Sequence, residues 1–149
     1  VIVNPTFGWI TASLILYGCR PKEVFSLNPL NCGKATVINL DAEKQFRERR
    51  ELIAIPNDLV EKLNLVDQIS KPISFDDLDE YDETEVDVFI SKWSDWFLSI
   101  EKNLKLNDFR HAWVQRAIIN RIPHNTISRC LGITLEDFKS HVLNIKDYL

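Results

Sequence analysis

The chain has 149 residues, 45% of them hydrophobic and 27% charged, with a formal net charge of −4. That length and balance fit one soluble domain with a full core, and the absence of any run of about 18 apolar residues or of a signal peptide excludes a membrane span. An acidic chain starts at a disadvantage for sequence-independent DNA affinity, which comes from Lys and Arg neutralising phosphates, although a local basic patch can act despite the net charge.

From Trp9 to Tyr17 the run WITASLILY is apolar on almost every side, as a buried helix is. Gly18 is a natural stop, and Pro21 opens the next helix at its first turn. Arg20 therefore falls at a helix-to-helix junction, where unpaired backbone N–H groups favour an anion; the plainer alternative is that Arg20 pairs with Glu23 or caps a neighbouring helix. PKEVFSL is a short helix, and NPLNCG after it is turn chemistry.

ATVINLD and RELIAIP carry the β-branched composition of strands, with AEKQFRER between them as a basic hairpin tip. A charged tip is ordinarily a solvated loop. Pro56 ends the second strand, and Asn57 is placed to cap a helix through NDLVEKLNL. Between Asp76 and Asp87 eight carboxylates crowd together with no Lys or Arg. This segment reads as an acidic linker over about 70–84, or as a surface that repels DNA or docks a basic partner; it lacks the Gly-turned loop of an EF-hand.

Thr84 to Asn103 is the clearest helix, with Thr84 and Asp87 in the form of a capping box. Val86, Phe89, Ile90, Trp93, Phe97, Ile100 and Leu104 follow helical spacing and are expected in the core, with Trp96 at its edge. Next comes a helix that Asp108 is placed to cap, carrying Phe109, Ala112, Trp113, Arg116, Ile118 and Ile119. Arg110 and His111 lie in its first turn, where a cation opposes the helix dipole, a cost easier to understand if Arg110 meets an anion or a buried carboxylate. Pro123 breaks the chain, a short helix closes at Leu131-Gly132, and Thr134 opens a last one.

Cys19, Cys32 and Cys130 are odd in number and widely spaced, and are expected to be reduced and mostly buried in a cytoplasmic protein. A zinc site combining them with His111 or His141 lacks any ligand spacing, so neither a metal nor another cofactor is expected.

DFRHAWVQRA, then Pro123, a short helix and LGIT, resembles the second conserved box of tyrosine recombinases, the phage-type integrases, and within them the cyanobacterial integrase-like branch. LYGCRPKEVFSL, Leu16 to Leu27, resembles the first box of the same family. The resemblance implies a phosphoryl-transfer site. Two arginines clamp the scissile phosphate, a hairpin lysine protonates the leaving oxygen, histidines assist, and a tyrosine attacks without metal. Position by position it places Arg20 and Arg110 on the two arginines, Glu23 on the supporting acid and Lys44 on the hairpin lysine, with Arg47, Arg49 and Arg50 close by. Asn107 stands where the family has a histidine, Ile133 where it has another, and Val142 at the nucleophile position. Tyr148 is either a displaced nucleophile or a terminal aromatic packed onto the domain.

The expected fold is mainly α (α+β), a helical bundle like a tyrosine-recombinase catalytic domain with a small antiparallel hairpin or three-stranded sheet. Residues 1–149 are expected to form that single domain. The chain starts at Val1 and contains no Met, so a trimmed chain without the family's N-terminal core-binding domain is expected. The expected function is DNA binding in a recombinase-family setting, through phosphate contacts from Arg20, Arg110, His111, Arg47 and Arg49. Cleavage is not expected, because Val142 has no nucleophilic atom; DNA binding is expected to be weak. The alternatives are a helix-turn-helix DNA-binding regulator, whose recognition helix would present Glu136, Asp137 and Lys139, and a protein-interaction module working through the acidic segment.

Overall fold

The computed structural model describes residues 5–30, 33–38, 49–63, 65–66 and 83–146, with the backbone alone for residues 5 and 141–146. Six α-helices are described: α1 (Pro5–Tyr17), α2 (Asp58–Lys62), α3 (Glu83–Ile100), α4 (Asp108–Ile119), α5 (His124–Leu131) and α6 (Leu135–Lys146). A 3₁₀ helix covers Pro21–Ser26, and the strands are β1 (Asn28–Pro29), β2 (Lys34–Ile38) and β3 (Arg49–Ile53). The strands form one antiparallel sheet in the order β1-β2-β3, with Val37 opposite Arg50 and Asn28 opposite Thr36. The fold is thus mainly helical with a three-stranded sheet.

The all-round apolar character of α1 makes it the centre of the core. Ile10, Leu14, Leu16 and Tyr17 are at most 2% exposed, and α1 packs against α4, whose Trp113, Val114 and Ala117 are buried. Each buried indole finds an acceptor for its N–H, as burial of that group demands. Trp9 donates to the Leu65 carbonyl at 3.2 Å, Trp93 to the Thr11 hydroxyl at 2.9 Å, and Trp113 to the Ile53 carbonyl at 3.0 Å. These three bonds join α1 to Leu65, α3 to α1, and α4 to β3 across long separations in sequence.

Ser26 fastens the 3₁₀ helix to the sheet by acting as a strand partner: its hydroxyl accepts from the Ile38 N–H at 2.8 Å and lies 2.9 Å from the Ile38 carbonyl. The C-terminal unit turns at Gly132, which takes the left-handed φ of +70. Thr134 then caps α6, its hydroxyl accepting from the Asp137 N–H at 3.1 Å.

Several local expectations are corrected. The NPLNCG turn contributes Asn28 and Pro29 to a two-residue edge strand, where Pro29 is tolerated because an edge demands fewer N–H donors. The long helix begins at Glu83 and ends at Ile100. The periodicity that would bring Leu104 back to the core is therefore interrupted, and Ile100 and Leu104 are 61% and 40% exposed. Asn57 occupies the position before α2 but makes no capping bond. Asp108 is the first residue of α4 rather than its cap, and its carboxylate accepts from the Lys105 N–H at 2.7 Å. Ile119 projects outward from the last turn of α4 at 71% exposure.

Candidate phosphate-binding site

The site begins where α1 stops. Gly18 adopts a φ of +67, and its N–H closes the last turn onto the Leu14 carbonyl at 3.0 Å. Two residues later Arg20 is extended (φ −75, ψ 152), as a residue preceding proline is pushed to be, and Pro21 starts the 3₁₀ helix with its preset φ. Glu23, three residues along, turns its side chain back so that Oε1 accepts the Arg20 backbone N–H at 2.7 Å. This half of a capping box carries the carboxylate into the interior, where Glu23 is 1% exposed.

A carboxylate so buried requires cations, and three guanidinium groups surround it. Arg50, from β3, donates through Nη1 to Glu23 Oε2 and through Nε to the Cys130 carbonyl at 2.8 Å. Arg110, from the first turn of α4, stands with Nη1 3.9 Å from Oε1, and Arg20 with Nη1 3.9 Å from Oε2. Arg110 is aimed by two backbone acceptors, the Gly18 carbonyl at 3.2 Å and the Leu131 carbonyl at 2.6 Å. Those two contacts place the unfavourable cation at the start of α4 against the C-terminal carbonyls of α1 and α5, where the local dipoles favour it.

Three cations against one anion leave a formal excess of two positive charges in one partly buried spot. The crowding is visible in Arg110, whose guanidinium is pushed down to about 10 by burial first and by Arg20 next, with Glu23 acting in the opposite direction. It stays charged at neutral pH. Cys19 lies among the same groups and is pushed up to about 12, by burial first and then by Glu23. Its thiol is therefore a protonated, buried filler and not a nucleophile.

The remaining expected site residues are distributed as follows. Asn107 is exposed just before α4 and makes no capping bond there. His111 is exposed on α4, one position past Arg110. Arg49 is exposed on β3, on the opposite face of the strand from Arg50. Lys44, Arg47 and Tyr148 lie outside the described residues, as does Cys32 and nearly all of the acidic linker. Val142 is placed by its backbone within α6. Among the described residues no group of three or more His, Cys, Asp or Glu could hold a metal ion, and no described helix is long and apolar enough to cross a membrane.

Arg50 was hidden in sequence among the basic residues of the hairpin. The signal that finds it is the period of two along RRELI, which sets Arg50 on the same face as Leu52, itself 1% exposed. Arg116, two turns after Arg110, serves the fold: Nε donates to the Ile55 carbonyl at 2.9 Å and Nη2 to the Ile15 carbonyl.

No family model matches the chain. Over 138 residues it is 25% identical to Excisase A of Nostoc sp. (strain PCC 7120 / SAG 25.82 / UTEX 2576), a match covering 86% of this chain and 29% of that protein. In three dimensions it superposes on the crystal structure of the XerH site-specific recombinase bound to difH substrate, a pre-cleavage complex, with a TM-score of 0.54 and 14% identity. This is a tyrosine-recombinase, integrase-like domain fold. The superposition covers 91% of this chain and 42% of the XerH chain, so the chain spans less than half the length of either relative.

Proposed function

We infer that this integrase-like domain grips a phosphate of a DNA backbone through Arg20 and Arg110 and does not cut the strand. The observation that carries the reading is the convergence of these two guanidinium groups on one buried carboxylate that Arg50 already engages, which leaves a net positive cradle. Planar guanidinium forks match phosphate oxygens in geometry and keep their charge when partly buried. The similarity to a protein named as an excisase, and the fold shared with a site-specific recombinase bound to its substrate, point to a DNA recombination setting.

In this reading the described elements act as one catalytic-domain-like unit. Asn107, His111, Arg49, Lys44 and Arg47 supply outlying phosphate contacts to the duplex, in a cytoplasmic setting. Cleavage is lost because Val142 stands where a tyrosine would attack and Ile133 where a histidine would assist. The net charge of −4 keeps the affinity modest, and the phosphate contacts make it fall with salt. A helix-turn-helix regulator is disfavoured because α6 exposes Glu136, Asp137 and Lys139, a poor set for a phosphate-lined groove.

Incubation with a nicked suicide duplex at low salt tests the reading in one experiment. The expected result is a reversible complex with no covalent adduct. An adduct that disappears on Tyr148→Phe would overturn the loss of cleavage. Absence of any complex would overturn DNA binding and leave a protein-interaction module, in which charge reversal at Asp79 and Glu80 abolishes partner capture.

A further inference from the structure

We propose that Arg50 is a positioning residue that keeps the cradle open: by occupying the Glu23 carboxylate it leaves for a phosphate the N–H donors of Arg20 and those of Arg110 that the Gly18 and Leu131 carbonyls do not hold. The proposal rests on the phosphate-binding reading and deepens it.

The geometry distinguishes Arg50 from the other two arginines. Glu23 is 1% exposed, so its charge must be met by a cation within the protein. Arg50 meets it with a hydrogen bond, whereas Arg20 and Arg110 stand at 3.9 Å, beyond hydrogen-bonding distance. The direction of Arg50 is set independently of any ligand. Its Nε is held by the Cys130 carbonyl, and the backbone at Gly132 lies so close that a Cβ there would stand 3.1 Å from Nε and Cζ. Gly132 thus combines a positive φ with room for the guanidinium, and the C-terminal end of α5 becomes the wall against which Arg50 is braced.

The arrangement is not the cheapest one for folding. Arg50 Nη2 is buried with no hydrogen-bond acceptor among the described residues, which costs the fold stability. A structure optimised for stability alone would pair Glu23 with the nearest arginine and replace Arg50 with an apolar residue. Keeping a third guanidinium there has a specific electrostatic consequence. Without Arg50, the buried carboxylate would draw Arg110 and Arg20 inward as its own partners, and the donors that face an incoming phosphate would be spent. Sites that break a local rule for stability are those where function is built.

This makes a prediction with an unusual sign. Arg50→Met should weaken binding of a short fluorescent DNA duplex about tenfold, although both phosphate-facing arginines remain, a loss equivalent to about 1.4 kcal/mol. Adding Glu23→Gln should restore binding to within about threefold of the parent chain, because the neutral amide still accepts the Arg20 N–H but no longer captures cations. Thermal melts of each variant report folding alongside binding. A residue that only braces the fold gives the opposite result, with the double variant no better than Arg50→Met. Should Arg50→Met fail to fold, Arg50→Gln carries the same test: its neutral amide cannot meet the Glu23 charge, and Glu23→Gln should again recover what it loses. Failure of the parent chain to bind the duplex would overturn the phosphate-binding reading; a parent that binds, with no recovery in the double variant, would overturn the role of Arg50 alone.

Discussion

Gly18 lies directly beneath Trp113: a Cβ added at Gly18 would stand 2.5 Å from the indole Cγ. The same glycine holds a φ of +67, and its carbonyl receives the Arg110 guanidinium at 3.2 Å. One residue therefore ends α1, lets α4 close onto it and aims the cation of the site. Gly18→Ala combines a left-handed backbone penalty with overpacking and should cost at least about 3 kcal/mol in urea unfolding. A loss below about 1 kcal/mol would mean that α1 and α4 do not meet at this distance.

Arg116 and Arg110 share a helix but have separate tasks. Arg116 spends its donors on the Ile55 and Ile15 carbonyls, and burial lowers its pKa below the ordinary arginine value. Arg116→Leu leaves those carbonyls without their partner and should destabilise folding by about 2–4 kcal/mol. In the fraction that remains folded, the salt dependence of DNA binding should equal that of the parent. A reduced slope would put Arg116 on the phosphate.

Cys19 gives the fold a signature at alkaline pH. The folded chain holds the thiol proton to about 12, against an ordinary 9.0, so between those values the unfolded state loses a proton that the native state keeps. Stability should accordingly fall as pH rises above 9, by about 1 kcal/mol per pH unit. Arg110, held to about 10 against an ordinary 12.5, acts with the opposite sign from 10 upward, because there the native state has released a proton that the unfolded state retains. In the window from 9 to 10 Cys130, which burial also pushes up, contributes with the same sign, so the comparison with Cys19→Ala is what isolates the Cys19 thiol. Urea unfolding at both ends should show the parent losing stability relative to Cys19→Ala. Parallel curves would mean that Cys19 is exposed, as would rapid alkylation of that thiol in the native chain at neutral pH.

Much of the helical frame was legible because it rests on short-range rules. The all-round apolar run before Gly18, the stop at Gly132 and the cap at Thr134 each depend on a few neighbouring residues. The three-stranded sheet was half legible: two strands carry β-branched composition, but β1 is two residues of apparent turn chemistry that pair only because β2 lies beside them. In the site, the places of Arg20, Glu23 and Arg110 came from family resemblance, since nothing local says that residues ninety positions apart share a carboxylate. Arg50 was obscured by its basic neighbours, although strand alternation with Leu52 marked it as inward. The cap of α4 was placed at Asp108, one position too late, since the helix already starts there and the Asp108 carboxylate reaches back to the Lys105 N–H.

The central claim is that Arg20 and Arg110 form one phosphate cradle, and the salt dependence of DNA binding tests it most directly. Affinity for a short duplex, followed by fluorescence anisotropy across a range of salt, should fall steeply for the parent chain. Arg20→Ala and Arg110→Ala should each weaken binding and reduce the slope of log affinity against log salt by about one. Parallel slopes for all three proteins, with unchanged affinity at low salt, would contradict the account.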